Sequence, residues 1–222
     1  MKSILCAIAV LLTGCRPAEK PSANRFLALG DSYTIGESVS ADERWPVQLA
    51  MQLRGKGVDI GDPRIIATTG WTTDELSAGV DAAKPAGPYR LVTLLIGVNN
   101  QYRGRGVDEF RTQFRDLLAR AVALAEGKPA RVIVVSIPDY GVTPFAASSD
   151  RAKIGRAIDE FNAVCKEEAT KGGAAFVDIT PGSRKAADDR SLVADDGLHP
   201  SGKMYGQWVE QILPVAQKAL LQ

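Results

Sequence analysis

Two kinds of hydrophobic pattern alternate along this chain. Short, nearly continuous apolar runs, typical of buried parallel strands, recur at residues 25–30, 63–68, 89–97, 130–138 and 174–179. Between them, apolar residues recur every three or four positions, as they do on one face of an amphipathic helix. These stretches are residues 43–55, 72–80, 107–127, 150–173 and 201–221.

Strands that alternate with helices in this way predict an α/β domain built on a parallel sheet. The helix at residues 107–127 shows the pattern, because Phe110, Phe114 and Leu117 keep the helical spacing. In the last helix, Pro214 predicts a kink or a break. The sequence contains no internal repeat and no low-complexity tract, so a single domain is expected.

The first fifteen residues, MKSILCAIAVLLTGC, have the pattern of an export signal. The apolar run at residues 4–12 is too short for a bilayer, which needs about 20 apolar residues. LTGC at residues 12–15 resembles a bacterial lipobox, in which the cysteine is lipidated and becomes the mature N-terminus. We therefore expect a signal peptide at residues 1–14, then a lipidated Cys15 and a tether at residues 15–24. An ordinary signal peptide with an incidental cysteine is the alternative.

This leader predicts an exported protein of the cell envelope that is anchored to the membrane by lipid, on the periplasmic face in a Gram-negative cell. The three cysteines agree with export. Cys6 would leave with the signal peptide and Cys15 would carry lipid, so only Cys165 remains and no intramolecular disulfide can form. Cys165 shares an apolar helical stripe with Phe161, and we interpret it as a buried structural thiol rather than a second nucleophile.

Charge and histidine content exclude several kinds of function. The chain has 27 lysines and arginines against 26 aspartates and glutamates. A nucleic-acid-binding protein usually has a basic face, so nucleic acid is not an expected partner. His199 is the only histidine, and any mechanism that needs an imidazole must use it. No metal-ligand spacing is present, so no metal and no other cofactor is expected.

Residue types that acyl transfer requires follow the predicted strands, where open α/β sheets bind their ligands. They are Ser32 after the first strand, Gly70 after the second, Asn99 after the third, and Asp196 and His199 after the last. A serine hydroxyl needs a base to take its proton, and a carboxylate three residues before a histidine is placed to orient the imidazole. Backbone N–H groups near Ser32 and Gly70 and the Asn99 amide are suitable donors to an oxyanion.

The sequence around these residues resembles the SGNH, or GDSL-type, hydrolase family. The family's four blocks are matched in order and in approximate spacing by GDSYTIGE, TTGWTTDEL, IGVNNQ and DDGLHPS. The resemblance implies one three-layer αβα domain over residues 25–222, with a central, mainly parallel, five-stranded sheet of the flavodoxin-like kind. One departure is visible, because the third block commonly reads Gly-x-Asn-Asp and has Asn100 here. We expect this change to alter the pocket locally rather than to abolish activity.

The resemblance also assigns roles. It implies a catalytic triad of Ser32, Asp196 and His199 and an oxyanion hole formed by Ser32, Gly70 and Asn99. The expected activity is hydrolysis of short-chain acyl or acetyl esters, of small molecules or glycans, through an acyl-enzyme intermediate. The alternatives are a polysaccharide O-acetyl esterase, a lysophospholipase or thioesterase, or a lipoprotein that binds glycan or lipid without catalysis.

Several local alternatives stay open at this point. Ser32 could cap a helix instead of acting as a nucleophile, and Asp31 is expected to fix the turn through its carboxylate. Trp45 could line a pocket or belong to the core. The segment PDYGVTPF at residues 138–145 could form a wall of the substrate site or an ordinary surface loop.

Overall fold

A computed structural model describes residues 24–221 and confirms an α/β fold with five parallel strands. The strands are β1 (Phe26–Gly30), β2 (Pro63–Ala67), β3 (Leu91–Leu95), β4 (Val132–Val135) and β5 (Ala175–Val177). They form one sheet in the order β2-β1-β3-β4-β5. The predicted leader, including Cys15 and the tether up to residue 23, lies outside the described residues.

Eight α-helices within residues 24–221 connect or follow the strands. They are α1 (Ser32–Ile35), α2 (Trp45–Gly55), α3 (Thr73–Ala83), α4 (Val98–Tyr102), α5 (Val107–Leu124), α6 (Arg151–Lys171), α7 (Thr180–Ser183) and α8 (Gly202–Leu220). The five longer helices are those that the periodicity predicts. The short helices α1, α4 and α7 were not predicted, because four or five residues are too few to show a helical repeat.

The helices form two layers around the sheet. Helices α2 and α8 pack against each other, and α3, α5 and α6 pack in series as the second layer. Every residue of β1, β3 and β4 is buried, which explains why these strands appear in the sequence as continuous apolar runs. Within residues 24–221, none of the helices combines the length and the apolar character of a bilayer-spanning segment.

Of the kink or break predicted at Pro214, the break does not occur, because α8 continues without interruption from Gly202 to Leu220. Proline lacks an N–H group, so the carbonyl of Glu210 loses its helical partner. Pro214 and Glu210 are both exposed, and water can bond that carbonyl. Trp208 and Ile212 are fully buried, and their packing holds the helix against the sheet.

The strand order creates a cleft at one edge of the sheet. Strand β1 lies between β2 and β3, and the chain leaves β1 toward one helical layer and β3 toward the other. Sheets with this order bind ligands at the carboxyl ends of the strands where the two directions diverge. The residues that follow β1, β2 and β3 therefore share one position in the fold.

Candidate active site

Ser32 is held at the end of β1 by a tight turn. Asp31 caps α1, because its Oδ1 accepts a hydrogen bond of 3.0 Å from the N–H of Tyr33. Ser32 is the first residue of α1, and Gly36, in the left-handed conformation, ends it. The cap of this helix is therefore Asp31 rather than Ser32, and the expected role of the Asp31 carboxylate in the turn is confirmed.

Gly30 makes this turn possible. A Cβ atom at this position would lie 2.1 Å from Thr34 Oγ1 and 2.5 Å from the carbonyl oxygen of Leu95. No real side chain tolerates these distances, so only glycine lets α1 fold back over the end of β1 beside β3. The close approach brings Ser32 to the edge of the sheet.

His199 and Asp196 form a hydrogen-bonded pair, with 2.6 Å between Nδ1 of the imidazole and Oδ2 of the carboxylate. Asp196 Oδ1 accepts bonds of 2.9 Å from the backbone N–H groups of Leu198 and His199. Asp196 Oδ2 also accepts a bond of 2.6 Å from the hydroxyl of Ser38. The neighbouring Asp195 is exposed, and it is Asp196 that meets the imidazole.

These contacts determine the protonation of the pair. Burial raises the pKa of Asp196, but the hydrogen bonds from Ser38, the His199 ring and the two backbone N–H groups outweigh it and hold that pKa well below its usual range. Asp196 is therefore a carboxylate, and a carboxylate facing Nδ1 keeps a proton on that nitrogen. Nε2 of the neutral ring is then the atom that can accept a proton.

The turn after β2 carries Gly70, whose φ of +87° lies in the region that favours glycine. The Arg103 guanidinium donates a hydrogen bond of 2.6 Å to the carbonyl of Gly70 and pairs with Glu75 at 3.0 Å. The side-chain amide of Asn99 donates a bond of 2.9 Å to the carbonyl of Trp71. An amide nitrogen carries two hydrogens, so Asn99 keeps a second donor for a ligand.

Asn100, the residue that departs from the family pattern, joins the turn after β2 to the loop after β3. It is fully buried; its Oδ1 accepts a bond of 3.1 Å from the Thr73 N–H, and its Nδ2 donates one of 2.7 Å to the Thr73 hydroxyl. The Thr73 hydroxyl in turn donates to Gln113. Asn100 therefore anchors the start of α3 and fixes the two loops relative to each other.

Four of the five predicted site residues border one cavity of about 150 Å³. Its lining consists of Ser32, Tyr33, Thr69, Gly70, Val98, Asn99, Tyr102, Tyr140, Phe145, Leu198 and His199. The fifth, Asp196, touches the cavity only through the imidazole ring that it holds. Among residues 24–221, no group of three or more His, Cys, Asp or Glu side chains is arranged to hold a metal ion.

The structure also decides the local alternatives. Tyr140 and Phe145 border the cavity, so the segment at residues 138–145 forms one of its walls. Trp45 is fully buried in the core. Cys165 is buried as well, and burial raises the pKa of its thiol far above the usual value, which suits a structural cysteine.

Sequence reasoning missed Ser38 and Tyr102. Ser38 lies only six residues after Ser32, but its contact with Asp196 spans 158 positions, and no local pattern reports such a contact. Tyr102 lies among polar residues in NNQYRGRG, where a loop facing solvent is the ordinary interpretation. The only signal in the sequence is that this aromatic residue lies three positions after Asn99, a predicted site residue.

The profile of the GDSL-like Lipase/Acylhydrolase family matches residues 28–207, a range that contains all five predicted site residues. Comparison with curated protein sequences found no match.

Solved structures share the fold. TesA superposes with a TM-score of 0.70 at 20% identity, over 89% of this chain and 100% of that one. The psychrotrophic esterase EstA from Pseudoalteromonas sp. gives 0.64 at 18% identity, over 90% and 100%. Axe2, an acetylxylan esterase from Geobacillus stearothermophilus, gives 0.64 at 20% identity, over 88% and 94%. At these identities the likeness shows a common fold.

Proposed function

The chain belongs to the GDSL-like Lipase/Acylhydrolase family of ester hydrolases, and we propose that it cleaves short-chain carboxylic esters with Ser32 as the nucleophile. The observation that carries the proposal is the His199–Asp196 pair, joined at 2.6 Å, on the cavity that Ser32 also borders. A serine, an imidazole and an ionised carboxylate in this relation are the components of a catalytic triad.

In the first half of the reaction, Ser32 Oγ attacks the ester carbonyl carbon while His199 Nε2 accepts the hydroxyl proton. Asp196 keeps the ring oriented and stabilises the imidazolium that forms. The oxyanion is bound by the N–H groups of Ser32 and Gly70 and by the amide of Asn99. The C–O bond to the alcohol then breaks, and the imidazolium gives its proton to the departing oxygen.

In the second half, water attacks the acyl-Ser32 ester. His199 accepts a proton from the water, and the same donors stabilise the second oxyanion. The bond to Ser32 Oγ breaks as the imidazolium returns a proton to that oxygen, and the carboxylic acid leaves. One base therefore serves both halves of the reaction.

The test is hydrolysis of p-nitrophenyl esters by the wild-type protein and by Ser32→Ala. We expect the variant to lose roughly 10⁴- to 10⁶-fold in kcat, because no other group replaces the nucleophile. Circular dichroism confirms that the variant is folded. Turnover that persists in Ser32→Ala would overturn the proposal, and so would a folded wild-type protein that hydrolyses no ester.

We also propose that the enzyme is exported and lipid-anchored through Cys15. The support is the LTGC sequence that follows the apolar run of the leader. Mass spectrometry of the N-terminal peptide should detect a lipid on Cys15, and Cys15→Ser should release the protein from the membrane fraction. An unmodified N-terminus in a membrane-free fraction would exclude the anchor.

A further inference from the structure

Three aromatic side chains form one wall of the cavity, which we call the aromatic wall: Tyr102, Tyr140 and Phe145. Their ring centroids are 6.0, 6.1 and 6.4 Å apart, within the range of favourable aromatic contacts. Tyr140 is buried, but Tyr102 and Phe145 are 59% and 48% exposed. Exposed large apolar side chains beside a functional cavity indicate a binding surface.

The aromatic wall is built on an anchored backbone. The Phe145 N–H donates a hydrogen bond of 3.0 Å to the carbonyl of Gly197, which ties the wall to the loop that carries His199. At its start, the buried Asp139 carboxylate accepts bonds from the Gly141 N–H at 2.8 Å and from Arg184 at 2.9 Å. Because the segment is already ordered, binding a ligand there costs little ordering.

The lining determines the chemistry of the ligand. The aromatic wall continues into Val98 and Leu198, and among the described residues no lysine, arginine, aspartate or glutamate borders the cavity. A charged group on the substrate would therefore have no partner there. The cavity measures about 150 Å³, the size of an apolar protein cavity that binds benzene, so it has room for roughly six carbon atoms.

We propose that the aromatic wall binds a neutral, apolar chain of about four to six carbon atoms on the ester substrate. The inference rests on the proposed function, because the chain must be joined to the carbonyl that Ser32 attacks. An acetyl group on a small alcohol would leave most of the cavity to water. Such a chain can belong to the acyl group or to the alcohol, since both are attached at the same carbonyl.

Two substrate series test the proposal and separate the two sources. One lengthens the acyl group, from p-nitrophenyl acetate to hexanoate, and the other lengthens the alcohol, from methyl to hexyl acetate. In at least one series kcat/KM should rise up to fourfold, about the effect of one buried methylene group, with each added carbon. In the double variant Tyr102→Ala/Phe145→Ala, the total rise in kcat/KM from the shortest to the longest ester should be at least tenfold smaller than in the wild type.

The control is Met51→Ala, which removes another exposed apolar side chain, on α2 and outside the cavity lining. It should keep the wild-type gain. If turnover depends on Ser32 but kcat/KM does not rise in either series, or rises equally in the double variant, the proposal for the aromatic wall is overturned and the proposed function is not. Absence of Ser32-dependent turnover on any ester would overturn the proposed function with it.

A second, independent observation concerns Ser38. Its φ is +64°, a conformation that residues other than glycine rarely adopt. Its hydroxyl donates a 2.6 Å hydrogen bond to Asp196 Oδ2, the oxygen that also faces His199 Nδ1. Backbone strain of this kind is found where a functional site requires it.

We infer that Ser38 is a positioning residue for the His199–Asp196 pair. Two donors on one carboxylate oxygen prevent the carboxylate from rotating, and the imidazole is then held in the orientation that proton transfer needs. Ser38 is not among the residues that line the cavity. Its effect should therefore appear in kcat rather than in KM.

The matched variants Ser38→Gly and Ser38→Ala test this role. Both remove the hydroxyl, but glycine adopts a positive φ without strain and alanine does not. If the hydroxyl positions Asp196, both variants should lose a similar three- to tenfold in kcat with little change in KM, and Ser38→Gly should be the more stable of the two because it alone is free of the backbone strain. A Ser38→Gly enzyme with wild-type kcat would show that the backbone turn alone matters, and would overturn the inference.

Discussion

Two regions supply the site, and different interactions hold them in place. One is the sheet edge that carries Ser32, Gly70 and Asn99, and the other is the loop that carries Asp196 and His199. The three sheet-edge residues follow β1, β2 and β3, whose register pairs Gly30 with both Ala67 and Leu95. Their positions therefore depend on core strands and on close backbone packing. The sheet edge is a product of the fold itself.

The histidine loop, residues 189–201, follows no strand of the sheet directly. It is closed by one antiparallel bridge between Val193 and Pro200 and by a hydrogen bond of 2.7 Å from Ser201 to the carbonyl of Ser191. The Asp196 carboxylate accepts the N–H groups of its own loop. Changes at the sheet edge should therefore affect stability and activity together, whereas changes in the histidine loop should affect activity far more than stability.

The largest effect that tests this contrast is expected for Asp196→Asn. An asparagine amide can donate to Nδ1, which would place the ring proton on Nε2 and remove the base, so kcat should fall roughly 10⁴-fold. An asparagine oxygen can still accept the two backbone N–H groups, but the lowered pKa of Asp196 means that its charge stabilises the folded state, so the free energy of unfolding should fall by roughly 1–2 kcal/mol. Urea denaturation and steady-state kinetics measure the two quantities.

The control for this variant is Asp195→Asn, which changes the exposed neighbour and should keep nearly all of the activity. A large loss of stability in Asp196→Asn would break the contrast between the two regions. Equal losses of activity in the two variants would show that the imidazole does not depend on Asp196.

Asn99→Ala should combine both effects. Loss of one oxyanion donor should lower kcat by ~10²–10³-fold, and loss of the bond to the Trp71 carbonyl should cost roughly 1 kcal/mol of stability. The matched variant Asn100→Ala removes two buried bonds to Thr73 but no residue of the cavity lining. It should lose more stability and less kcat, and the reverse order would contradict the assignment of the oxyanion donor.

Gly30→Ala should affect mainly stability. The added Cβ would lie 2.1 Å from Thr34 Oγ1, and overpacking of this kind costs roughly 1–3 kcal/mol. Gly106→Ala is the control, because open space surrounds that position. Denaturation midpoints give the comparison; a Gly30→Ala protein as stable as Gly106→Ala would show that close packing is not what places Ser32.

The same contrast explains what could be predicted from the sequence. Buried strands such as Leu91–Leu95 and long helices leave periodic patterns, and residues directly after strands inherit positions from the topology. The predicted strands, longer helices and parallel sheet were therefore right, and the structure brings Ser32, Gly70 and Asn99 to one edge of the sheet.

Features that depend on distant contacts left no such pattern. The aromatic wall joins Tyr102, at the end of the short helix α4, to Phe145 in the segment after β4, and neither segment is long enough to show a hydrophobic repeat. Ser38 has a positive φ although serine rarely adopts one, so its residue type does not predict this conformation. The break that Pro214 suggested does not occur for a related reason, since the buried face of α8 outweighs one missing hydrogen bond.

The one effect that depends on pH rather than on packing or catalysis concerns Asp31, beneath the sheet edge. Burial raises the pKa of this carboxyl from 3.8 to about 7, more than the bond from the Tyr33 N–H lowers it. The folded protein therefore keeps a proton on Asp31 at pH values where the unfolded chain has released it. As the pH rises from about 4 to about 7, this group makes folding progressively less favourable, and above pH 7 the penalty stays constant.

Asp31→Asn removes the ionisation, and its side-chain oxygen can still accept the Tyr33 N–H. The variant should therefore match the wild type near pH 4 and exceed its free energy of unfolding at pH 8 by roughly 1–4 kcal/mol. Urea denaturation at both pH values gives the difference in stability between variant and wild type at each pH. Subtracting the two differences cancels any effect of the substitution that does not depend on pH. An equal increment at pH 4 and pH 8 would mean that Asp31 ionises as easily in the folded protein as in the unfolded chain. In that case water would reach Asp31 at the sheet edge, which would contradict the close packing seen at Gly30.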